Sequence, residues 1–475
     1  MTPEEFREAG HRLVDWVADL RAGIAEHPVQ AQTAPGEVRA AMPTAPPGPT
    51  SVDELIEQLD RVVVPGITHF QHPRFFGWFP ANASLPAVLG DLVSTGIGAL
   101  GISWQSAPAL TEVEEAACDW MRQLVGLSPE WRGTIQDTAS SAVLVALMVA
   151  RERATGLGQY GGGLQAAPEP LCVYTSSEAH SSVQKAALLA GYGFDNLRLI
   201  DVHPGTRDID VDALRAAVEG DVAAGRRPAA VVANVGSTGV TAFDPVAEVV
   251  EVGREHGMWV HVDAAMAGTA MLLPECRHLW EGVEGADSVS WNPHKWMGAA
   301  VDCSLFYVRD PEALQQVMAT SPSYLASSHD GEVTQYRDWG IPLGRRFRSL
   351  KLWFVLALDG VEAVQERVRR DLANAAWLAE QVDAAPGWER VAPTRLQTVC
   401  VRHDPGGLDA DALDRHTLAW VVEVNGSGAA FLTPAQIDGR WMVRVSIGAE
   451  PTTRDDVAAA WEAMQAAARS AAAHP

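Results

Sequence analysis

The sequence predicts an α/β fold in which helices cover both faces of a mainly parallel sheet. Between about residues 130 and 310, short apolar runs typical of buried strands alternate with segments of helical periodicity. The chain has 475 residues, too many for one ordinary hydrophobic core, so we expect two or three domains. Its 47% apolar and 20% charged residues are typical of a globular protein.

The first 77 residues have the pattern of two helices joined by an extended arm. Each helix begins with a capping box, in which a hydroxyl side chain and a glutamate three residues later cap each other's backbone. The two boxes are Thr2 with Glu5 and Ser51 with Glu54. The proline-rich stretch 28–49 between the helices predicts an extended connector. Such a segment has little core of its own, which favours packing on a second subunit and therefore a homodimer.

The strands and helices of the central alternation can be placed individually. The predicted strands are Leu171–Tyr174, Leu197–Val202, Ala229–Asn234, Met258–Val262, Ser288–Trp291 and Cys303–Val308. The helices predicted among them are Ser141–Ala154, Ser182–Ala190, Asp212–Glu219 and Pro245–His256. Such sheets bind ligands at the carboxyl ends of their strands, so candidate site residues are sought there.

Beyond about residue 350 the pattern changes to a mixture of helices and strands. The predicted elements are helical residues Leu350–Ala376, a strand Thr398–Arg402, a helix near Asp409–Arg415, a strand Trp441–Ile447 and a terminal helix from Thr453 to Ala472. This mixture predicts a smaller α+β domain. We therefore divide the chain into an N-terminal helical segment (1–77), a large domain (78–355) and a small C-terminal domain (356–475).

Charge and cysteine usage exclude several classes of function. The formal net charge is −24, and a strongly acidic surface repels phosphate backbones and anionic lipid, so we expect no nucleic-acid or membrane partner. The five cysteines are scattered and form no Cys/His cluster, so no metal site is predicted. No signal-peptide pattern opens the chain, and its longest apolar run, 142–150, is about half of the roughly 20 residues that a membrane span needs. We expect a soluble, cytoplasmic protein.

Lysine usage is unusually sparse. Only Lys185, Lys295 and Lys351 are lysines, and the other 33 of the 36 basic residues are arginines. Arginine can provide a positive charge on a surface, but it cannot replace a neutral amine that attacks a carbonyl group. Each lysine is therefore a candidate Schiff-base residue, and the alternative for each is an ordinary solvated side chain.

Two polar residues lie at the ends of successive predicted strands. Asp263 is followed by small residues that leave room for a flat ligand, and a carboxylate there can keep a pyridine nitrogen protonated. Its alternative role is that of a helix N-cap. Lys295 follows the next strand, where desolvation beside apolar residues makes an amine nucleophilic. The alternative is a lysine whose side chain points to water. Because the Asp263 and Lys295 motifs follow successive strands, a shared site is favoured over that alternative.

Three weaker features lie at the same predicted edge. Residues 137–141 place hydroxyl side chains at the start of a helix, where free backbone N–H groups bind phosphate. His180 follows a strand and can stack on a flat ring, although a lone histidine is more often a hydrogen-bonded core residue. The glycine-rich turn 236–239 follows another strand and is unspecific by itself.

Together these residues resemble the group II pyridoxal-phosphate decarboxylases, most closely the aromatic L-amino-acid decarboxylases of the tryptophan-decarboxylase kind. The resemblance is carried by His72–Pro80, Ile102–Trp104, Thr138–Ser140, Ala179–Ser182, His261–Ala265, Asn292–Trp296 and Ile341–Lys351. It implies the type I, aspartate-aminotransferase-like fold: a mainly parallel seven-stranded sheet flanked by helices, an N-terminal helical arm and a small C-terminal α+β domain. It also implies a homodimer with its active site at the subunit interface.

The resemblance assigns roles to the cofactor residues. Lys295 carries pyridoxal 5'-phosphate, Asp263 pairs with the pyridine nitrogen, and His180 stacks on the ring opposite Ala265. The residues that it implies for the phosphate and the rest of the cavity are Thr138, Ala139, Ser140, Asn292, Thr238 and His294. No catalytic role is implied for Lys351, and Lys185 is expected to be solvated.

The resemblance also implies a substrate pocket and a loop. The pocket residues are Trp78, Phe79, Pro80, Ala81, Leu100, Ile102 and Gly344. Trp78 replaces a usual tyrosine, Ile102 replaces a usual phenylalanine, and a small residue at Gly344 accompanies indole substrates, which favours tryptophan or a broad aromatic range. Tyr324 lies in a polar stretch that predicts a loop and corresponds to a tyrosine that protonates the substrate carbon; its alternative is a surface tyrosine. Relatives with phenylalanine at this position release aldehyde.

Three alternatives stay open at this point. The chain could be an aromatic aldehyde synthase, a decarboxylase of a non-aromatic amino acid or an aminotransferase on the same fold. A protein that keeps the fold without catalysis is disfavoured, because both Lys295 and Asp263 are present.

Overall fold

The computed structural model describes residues 1–320, 329 and 331–473, and the chain divides into two compact units. The central unit comprises Ala81–Arg369 and Ala392–Leu396. The terminal unit comprises Met1–Pro80, Arg370–Val391 and Gln397–Pro475. The predicted division into segments 1–77, 78–355 and 356–475 stays a prediction.

The regular elements in the described residues are numbered in chain order. The strands are β1 (Phe75–Phe76), β2 (Arg132–Gln136), β3 (Leu171–Ser176), β4 (Leu197–Ile200), β5 (Arg227–Asn234), β6 (Trp259–Asp263), β7 (Ser288–Trp291), β8 (Ser304–Val308), β9 (Trp388–Arg390), β10 (Thr398–His403), β11 (Phe431–Ile437) and β12 (Arg440–Ser446). The α-helices are α1 (Pro3–Ala22), α2 (Glu37–Ala41), α3 (Val52–Gln58), α4 (Leu85–Ile97), α5 (Pro108–Val125), α6 (Ala139–Thr155), α7 (Ser181–Leu189), α8 (Val211–Ala223), α9 (Val246–Glu255), α10 (Pro311–Met318), α11 (Ser349–Leu358), α12 (Val361–Ala384), α13 (Ala410–Gly426) and α14 (Arg454–Ala473).

The central unit contains the predicted mainly parallel sheet. Its seven strands have the order β2-β8-β7-β6-β5-β3-β4, and only β8 runs antiparallel to its two neighbours. Every residue of β3 and β6 is buried, as expected for parallel strands covered on both faces. All six predicted strands are present. The seventh, β2, was not predicted because Arg132, Gly133 and Thr134 interrupt its apolar pattern at the edge of the sheet.

The terminal unit is built on a second, smaller sheet. Its five strands have the order β1-β11-β12-β10-β9, and α13 and α14 pack on it through a core that includes Trp420, Val443 and Met464. The sequence predicted β10, β12 and both helices. It missed β11, because Thr433, Pro434 and Gln436 obscure its alternation.

The N-terminal helices begin where the capping boxes place them. The N–H of Glu5 donates to Thr2 Oγ1 over 3.2 Å, and the N–H of Thr2 donates to Glu5 Oε2 over 2.6 Å. A second reciprocal pair, Ser51 and Glu54, starts α3. The predicted extended arm is wrong in one detail, because Glu37–Ala41 form the short helix α2 after a left-handed Gly36.

Helix α1 has no buried residue, although an apolar stripe runs along it. No helix in the described ranges combines the length and the apolar character that crossing a bilayer requires.

Candidate active site

The carboxyl ends of four parallel strands bring the predicted cofactor residues to one edge of the central sheet. Asn234 at the end of β5 pairs in register with Asp263 at the end of β6, and Asp263 pairs with Ser290 in β7. The Asn234 side chain also donates to Ser176 Oγ at the end of β3, over 3.2 Å. Asp263 is buried, so its carboxylate is held in a dry position at the centre of this edge.

The segment that contains Lys295 is tied to the end of β6. The N–H of Asn292 donates to the Ala265 carbonyl over 3.0 Å, and the N–H of Lys295 donates to the Asn292 carbonyl over 3.0 Å. The N–H of Ala265 itself donates to Asp263 Oδ1 over 3.0 Å. The predicted aspartate, alanine, asparagine and lysine are therefore consecutive members of one hydrogen-bonded network.

His180 is the N-cap of α7, and its hydrogen bonds define its tautomer. The backbone N–H of Ser182 donates to His180 Nδ1 over 3.2 Å, and Ser182 Oγ lies 2.7 Å from the same atom. Because Nδ1 accepts, the proton of the neutral ring is on Nε2. Burial lowers the pKa of His180, while the charge of Asp263 raises it and that of Lys295 lowers it. His180 is therefore a neutral ring in the electrostatic range of both residues.

The start of α6 supplies backbone donors at this edge. Thr138 is the N-cap, and its side chain accepts from the N–H of Ser141 over 3.4 Å. The first N–H groups of a helix have no partner within it, so those of Ala139 and Ser140 are suited to bind an anion. The helix has 17 residues, and its dipole adds to this preference.

The turn that contains Thr238 follows β5 and packs closely on its neighbours. Gly236 has a φ of +83°, and a Cβ there would lie 2.7 Å from Ala267 Cβ. A Cβ on Gly239 would lie 2.9 Å from Glu178 Oε2, two residues before His180. Glycine at both positions lets the Thr238 turn approach the β6 end and the His180 segment.

His294 is buried, and one of its ring nitrogens accepts a hydrogen bond. The N–H of Cys303 donates to His294 Nδ1 over 2.9 Å, which leaves the ring proton on Nε2. Burial, followed by the charges of Lys295 and Lys351, lowers the pKa of His294 to about 4. The ring is therefore neutral at physiological pH.

The predicted substrate residues fall into both units. Trp78, Phe79 and Pro80 belong to the terminal unit, where the Trp78 N–H donates to Thr433 Oγ1 over 2.7 Å and the Arg444 guanidinium lies over the Phe79 ring. Trp78 is 48% exposed, whereas Phe79 is buried.

The remaining predicted substrate residues belong to the central unit. Ala81 precedes Asn82, whose N–H donates to the Lys295 carbonyl over 3.3 Å. Leu100 and Gly344 are adjacent, because a Cβ on Gly344 would lie 3.2 Å from Leu100 Cδ1. The N–H of Ile102 donates to Ser106 Oγ over 3.2 Å. The structure thus joins the Leu100 and Gly344 segments, which are more than 240 positions apart in sequence. Tyr324 lies outside the described residues.

Sequence reasoning missed several residues that support the site. Asn234 bridges the ends of β3, β5 and β6, and its only sequence signal is its place at a strand end. Glu178 binds the buried guanidinium of Arg207 with a shortest distance of 2.5 Å, which anchors the segment before His180. Arg207 carries no motif, so only the fold shows this contact.

Comparison with known proteins shows the family of this chain. The chain matches the pyridoxal-dependent decarboxylase conserved domain over residues 35–404. The chain belongs to the pyridoxal-dependent decarboxylase family. Phenylacetaldehyde synthase of Arabidopsis thaliana is 38% identical to it, over 98% of this chain and 96% of that protein.

Two crystal structures of plant decarboxylases are similar to the whole chain. Oryza sativa TDC with PLP and tryptamine matches with a TM-score of 0.95 and 34% identity, over 99% of both chains. Catharanthus roseus tryptophan decarboxylase in complex with L-tryptophan matches with a TM-score of 0.92 and 34% identity, again over 99% of both chains. The protein is thus a pyridoxal-phosphate-dependent carboxy-lyase with the type I fold, among the aromatic amino-acid decarboxylases and aldehyde synthases.

The residues at the strand ends fit the cofactor of this decarboxylase family. Asn292 Oδ1 is buried and has no hydrogen-bond partner among the described residues, so a polar group of a ligand would satisfy it. The α6 N-terminus suits a phosphate, and the buried Asp263 carboxylate suits a protonated pyridine nitrogen. Bound pyridoxal phosphate supplies the electron sink for cleavage at the substrate α-carbon.

Proposed function

We propose that this enzyme decarboxylates an aromatic L-amino acid, with L-tryptophan as the preferred substrate and tryptamine and carbon dioxide as the products. A broader range that includes L-DOPA, tyrosine and phenylalanine is compatible with the same pocket. The observation that carries the choice of tryptophan is the packing of Gly344 on Leu100. Any side chain at position 344 would crowd Leu100, so glycine preserves space for a two-ring side chain.

The roles proposed for the cofactor residues follow from their positions. Lys295 would hold the cofactor covalently through its amine. Asp263 is buried at the centre of the sheet edge and keeps the pyridine nitrogen protonated, which strengthens the electron sink. Thr138, Ala139, Ser140 and Asn292 hold the phosphate, while Ala265, Thr238 and His294 shape the cavity.

His180 stacks on the cofactor ring and orients the substrate. Its Nδ1 is occupied by Ser182, so Nε2–H is the group that can donate to a carboxylate or move a proton. A neutral ring donates without repelling the positive charge of a protonated pyridine. We assign the final proton transfer to the substrate α-carbon to Tyr324, with His180 as the alternative donor.

The alternative function is aldehyde synthesis, which the similarity to phenylacetaldehyde synthase supports. In that reaction the amino acid, dioxygen and water give an aldehyde, carbon dioxide, ammonia and hydrogen peroxide. Dioxygen is reduced to peroxide and the α-carbon is oxidised. The tyrosine at position 324 favours protonation and therefore amine formation. A decarboxylase of a non-aromatic amino acid is a further alternative on the same fold.

We also propose a homodimer in which the second copy completes the active site. Leu100 is 53% exposed and the neighbouring Gly344 is also exposed, which is unsuitable for the wall of an apolar substrate pocket. Helix α4 also presents an apolar ridge to solvent, formed by Leu85, Leu89, Leu92, Val93 and Ile97. A second copy of the chain would cover these surfaces. The five cysteines are free and buried, which supports a cytoplasmic location.

The proposed function can be tested with a substrate panel and two lysine variants. Purified enzyme is assayed with tryptophan, L-DOPA, tyrosine, phenylalanine and glutamate, and carbon dioxide, amine, aldehyde and peroxide are each quantified. We expect tryptamine as the main product, with the highest kcat/KM for tryptophan. Peroxide formed in proportion to carbon dioxide would identify an aldehyde synthase instead.

Lys295→Arg tests the catalytic assignment in the same assay. A guanidinium stays protonated and cannot bind the cofactor covalently, so the variant should lose turnover and the visible absorbance that borohydride bleaches. Lys185→Arg is the matched control, because Lys185 is exposed on α7, and it should behave as wild type. Turnover by Lys295→Arg at the wild-type rate would refute the assignment.

A further inference from the structure

The three lysines of the chain have very different surroundings. Lys185 is exposed on α7, and Lys295 lies at the edge of the central sheet. Lys351, the third residue of α11, is completely buried. In a chain that uses arginine for 33 of its 36 basic residues, a buried lysine indicates a position where a compact ammonium is needed.

The ammonium of Lys351 contacts one carbonyl and two carboxylates. Nζ donates to the backbone carbonyl of Asp302 over 3.0 Å. It also lies 3.6 Å from Asp302 Oδ1 and 3.7 Å from Asp91 Oδ1. Asp91 belongs to α4, so Lys351 connects two helices to the segment that follows Lys295.

Two arginines form ion pairs with the same carboxylates but do not donate to the Asp302 carbonyl. Arg348 pairs with Asp302 Oδ2 over 2.8 Å, and Arg346 pairs with Asp91 over 3.0 Å. The cluster therefore has cations enough to balance Asp91 and Asp302 without Lys351. Charge balance alone does not account for Lys351 as a third cation that is completely buried, whereas the bond to the Asp302 carbonyl does.

The carbonyl that Lys351 binds belongs to the peptide group that holds His294. The C=O of Asp302 and the N–H of Cys303 are the two ends of one planar peptide unit. Its carbonyl accepts from Lys351, and its N–H donates to His294 Nδ1 over 2.9 Å. Hydrogen bonds at both ends of a peptide polarise one another, so the first strengthens the second. The N–H of His294 closes the arrangement by donating to the Cys303 carbonyl over 3.3 Å.

The position of Lys351 is itself tightly constrained. A Cβ on Gly90 would lie 2.8 Å from the Leu350 carbonyl oxygen and 3.0 Å from Lys351 Cα, so α4 and α11 are in backbone contact at this point. The lysine therefore projects from a rigid helix pair. Other contacts hold the same loop elsewhere, including Arg367, which donates to the Met297 carbonyl over 2.6 Å.

We propose that Lys351 is a positioning residue for the cofactor lysine. Its ammonium orients the 302–303 peptide group, which fixes the His294 ring and its Nε2–H tautomer and thereby the backbone from which Lys295 extends. The inference rests on the proposed role of Lys295. Lys351 touches neither substrate nor cofactor, and its effect is transmitted through His294.

The test is a double-mutant cycle on cofactor retention. Wild type, Lys351→Met, His294→Gln and the double variant are purified with cofactor, and the rate of cofactor release after dilution is followed by visible absorbance. We expect Lys351→Met to release the cofactor about tenfold faster, in the range seen when groups that orient a ligand-binding residue are removed. In the His294→Gln background the same change should add little, because the transmitting residue is already gone.

A second readout is the pH titration of the visible absorbance, which reports the surroundings of the cofactor-bound lysine. We expect its midpoint to shift in Lys351→Met and to return towards wild type in Lys351→Arg, which restores a cation near the carbonyl. Lys185→Met should leave both readouts unchanged. Leu314→Ala, which removes a buried side chain from the core of the same unit, controls for a general loss of stability.

Additive effects in the cycle, or wild-type release and titration in Lys351→Met, would overturn the proposal. So would equal cofactor release by Leu314→Ala at an equal loss of thermal stability. If Lys351→Met does not fold, Lys351→Asn, whose amide is too short to reach the Asp302 carbonyl, takes its place in the cycle, with the same non-additivity expected. Peptide mapping of borohydride-reduced wild type identifies the cofactor-bound lysine independently, so a failure of the Lys295 assignment is distinguishable.

Discussion

At the scale of single residues, hydrogen bonds to ring nitrogens decide what two histidines can do. His180 and His294 both accept at Nδ1 from a backbone N–H, so each presents Nε2–H. Burial lowers the pKa of both rings, which keeps them neutral at physiological pH. A neutral donor can orient a carboxylate or transfer a proton without adding a positive charge beside Lys295.

The identity of the proton donor decides between amine and aldehyde. We expect Tyr324→Phe to release carbon dioxide at a rate within about tenfold of wild type, because cleavage does not need the phenol. The unprotonated carbon then reacts with dioxygen, so aldehyde, ammonia and peroxide replace most of the amine. Product analysis by chromatography, with a peroxide assay, measures the ratio. Tyr160→Phe is the control, since Tyr160 is 68% exposed. Clean amine production by Tyr324→Phe would make His180 Nε2–H the leading donor.

We propose that the space beside Gly344 decides the preferred aromatic side chain. Gly344→Ser would place its Cβ 3.2 Å from Leu100 Cδ1, so that the pocket narrows. We expect the ratio of kcat/KM for tryptophan to that for tyrosine to fall about tenfold, which is typical of a change of one small group in an apolar pocket. Gly48→Ser, with nothing within 4 Å of the added Cβ, should leave the ratio unchanged. An unchanged ratio in Gly344→Ser would show that this residue does not contact the substrate ring.

At the scale of elements, β10 and α13 bring two buried histidines into contact in the terminal unit. His403 Nδ1 lies 2.9 Å from His416 Nε2, and the Trp388 ring packs 4.9 Å from that of His403. Burial lowers the pKa of both histidines. The charges of His416 and Arg469 lower the pKa of His403 further, whereas Asp404 raises it. Asp404 also raises the pKa of His416. The folded protein therefore holds this pair neutral where the unfolded chain takes up protons.

This pair makes stability depend on pH in a defined direction. The contribution of the pair to the free energy of unfolding is fully present above the pKa of about 6.5 that a histidine has in the unfolded chain. It is lost as the pH falls through the lower pKa values of the folded protein. His416→Gln, which can still donate to His403, should flatten the fall in unfolding free energy between pH 7.5 and 5.5 by up to about 1.4 kcal/mol per pH unit. Thermal unfolding followed by circular dichroism measures it. His11→Gln, at an exposed site on α1, should retain the wild-type slope. The same slope in both variants would exclude the pair as the source.

At the scale of the whole molecule, exposed apolar surface is concentrated on particular helices, although the chain has a net charge of −24. Helix α1 buries none of its residues, and the ridge on α4 is open to solvent in the single chain. Large apolar patches on a charged surface are typical of protein interfaces. Like-charge repulsion between acidic copies opposes association, so the apolar contacts must exceed it.

Charged substitutions on the α4 ridge should therefore dissociate the proposed dimer. We expect the double variant Leu89→Glu/Leu92→Glu to elute with a mass near 50.9 kDa instead of twice that value, because each buried carboxylate is costly to desolvate. Activity should fall with the loss of dimer, since the exposed Leu100 would lose its cover. Light scattering after size exclusion measures the mass. Val422→Glu, at a 66% exposed site on α13, is the matched control. A double variant that keeps the mass of wild type would place the interface elsewhere.

Local sequence patterns were sufficient to predict much of the fold. Both capping boxes form, because their contacts join residues only three positions apart. The parallel strands were recognisable because burial on both faces demands continuous apolar runs. The patterns failed at β2 and β11, where a glycine or a proline breaks the run and only pairing with a neighbour completes the strand.

By itself, the sequence predicted pyridoxal-phosphate decarboxylase chemistry from a lysine and an aspartate at successive strand ends, and the family match confirms the family and its cofactor. Only the tertiary structure decided which distant residues meet. The register of β5 with β6 puts Asn234 beside Asp263, and the packing of α4 on α11 puts Lys351 against the peptide that holds His294. Neither contact has a local signature, because a buried hydrogen bond depends on distances between elements, which propensity and periodicity along one chain do not encode.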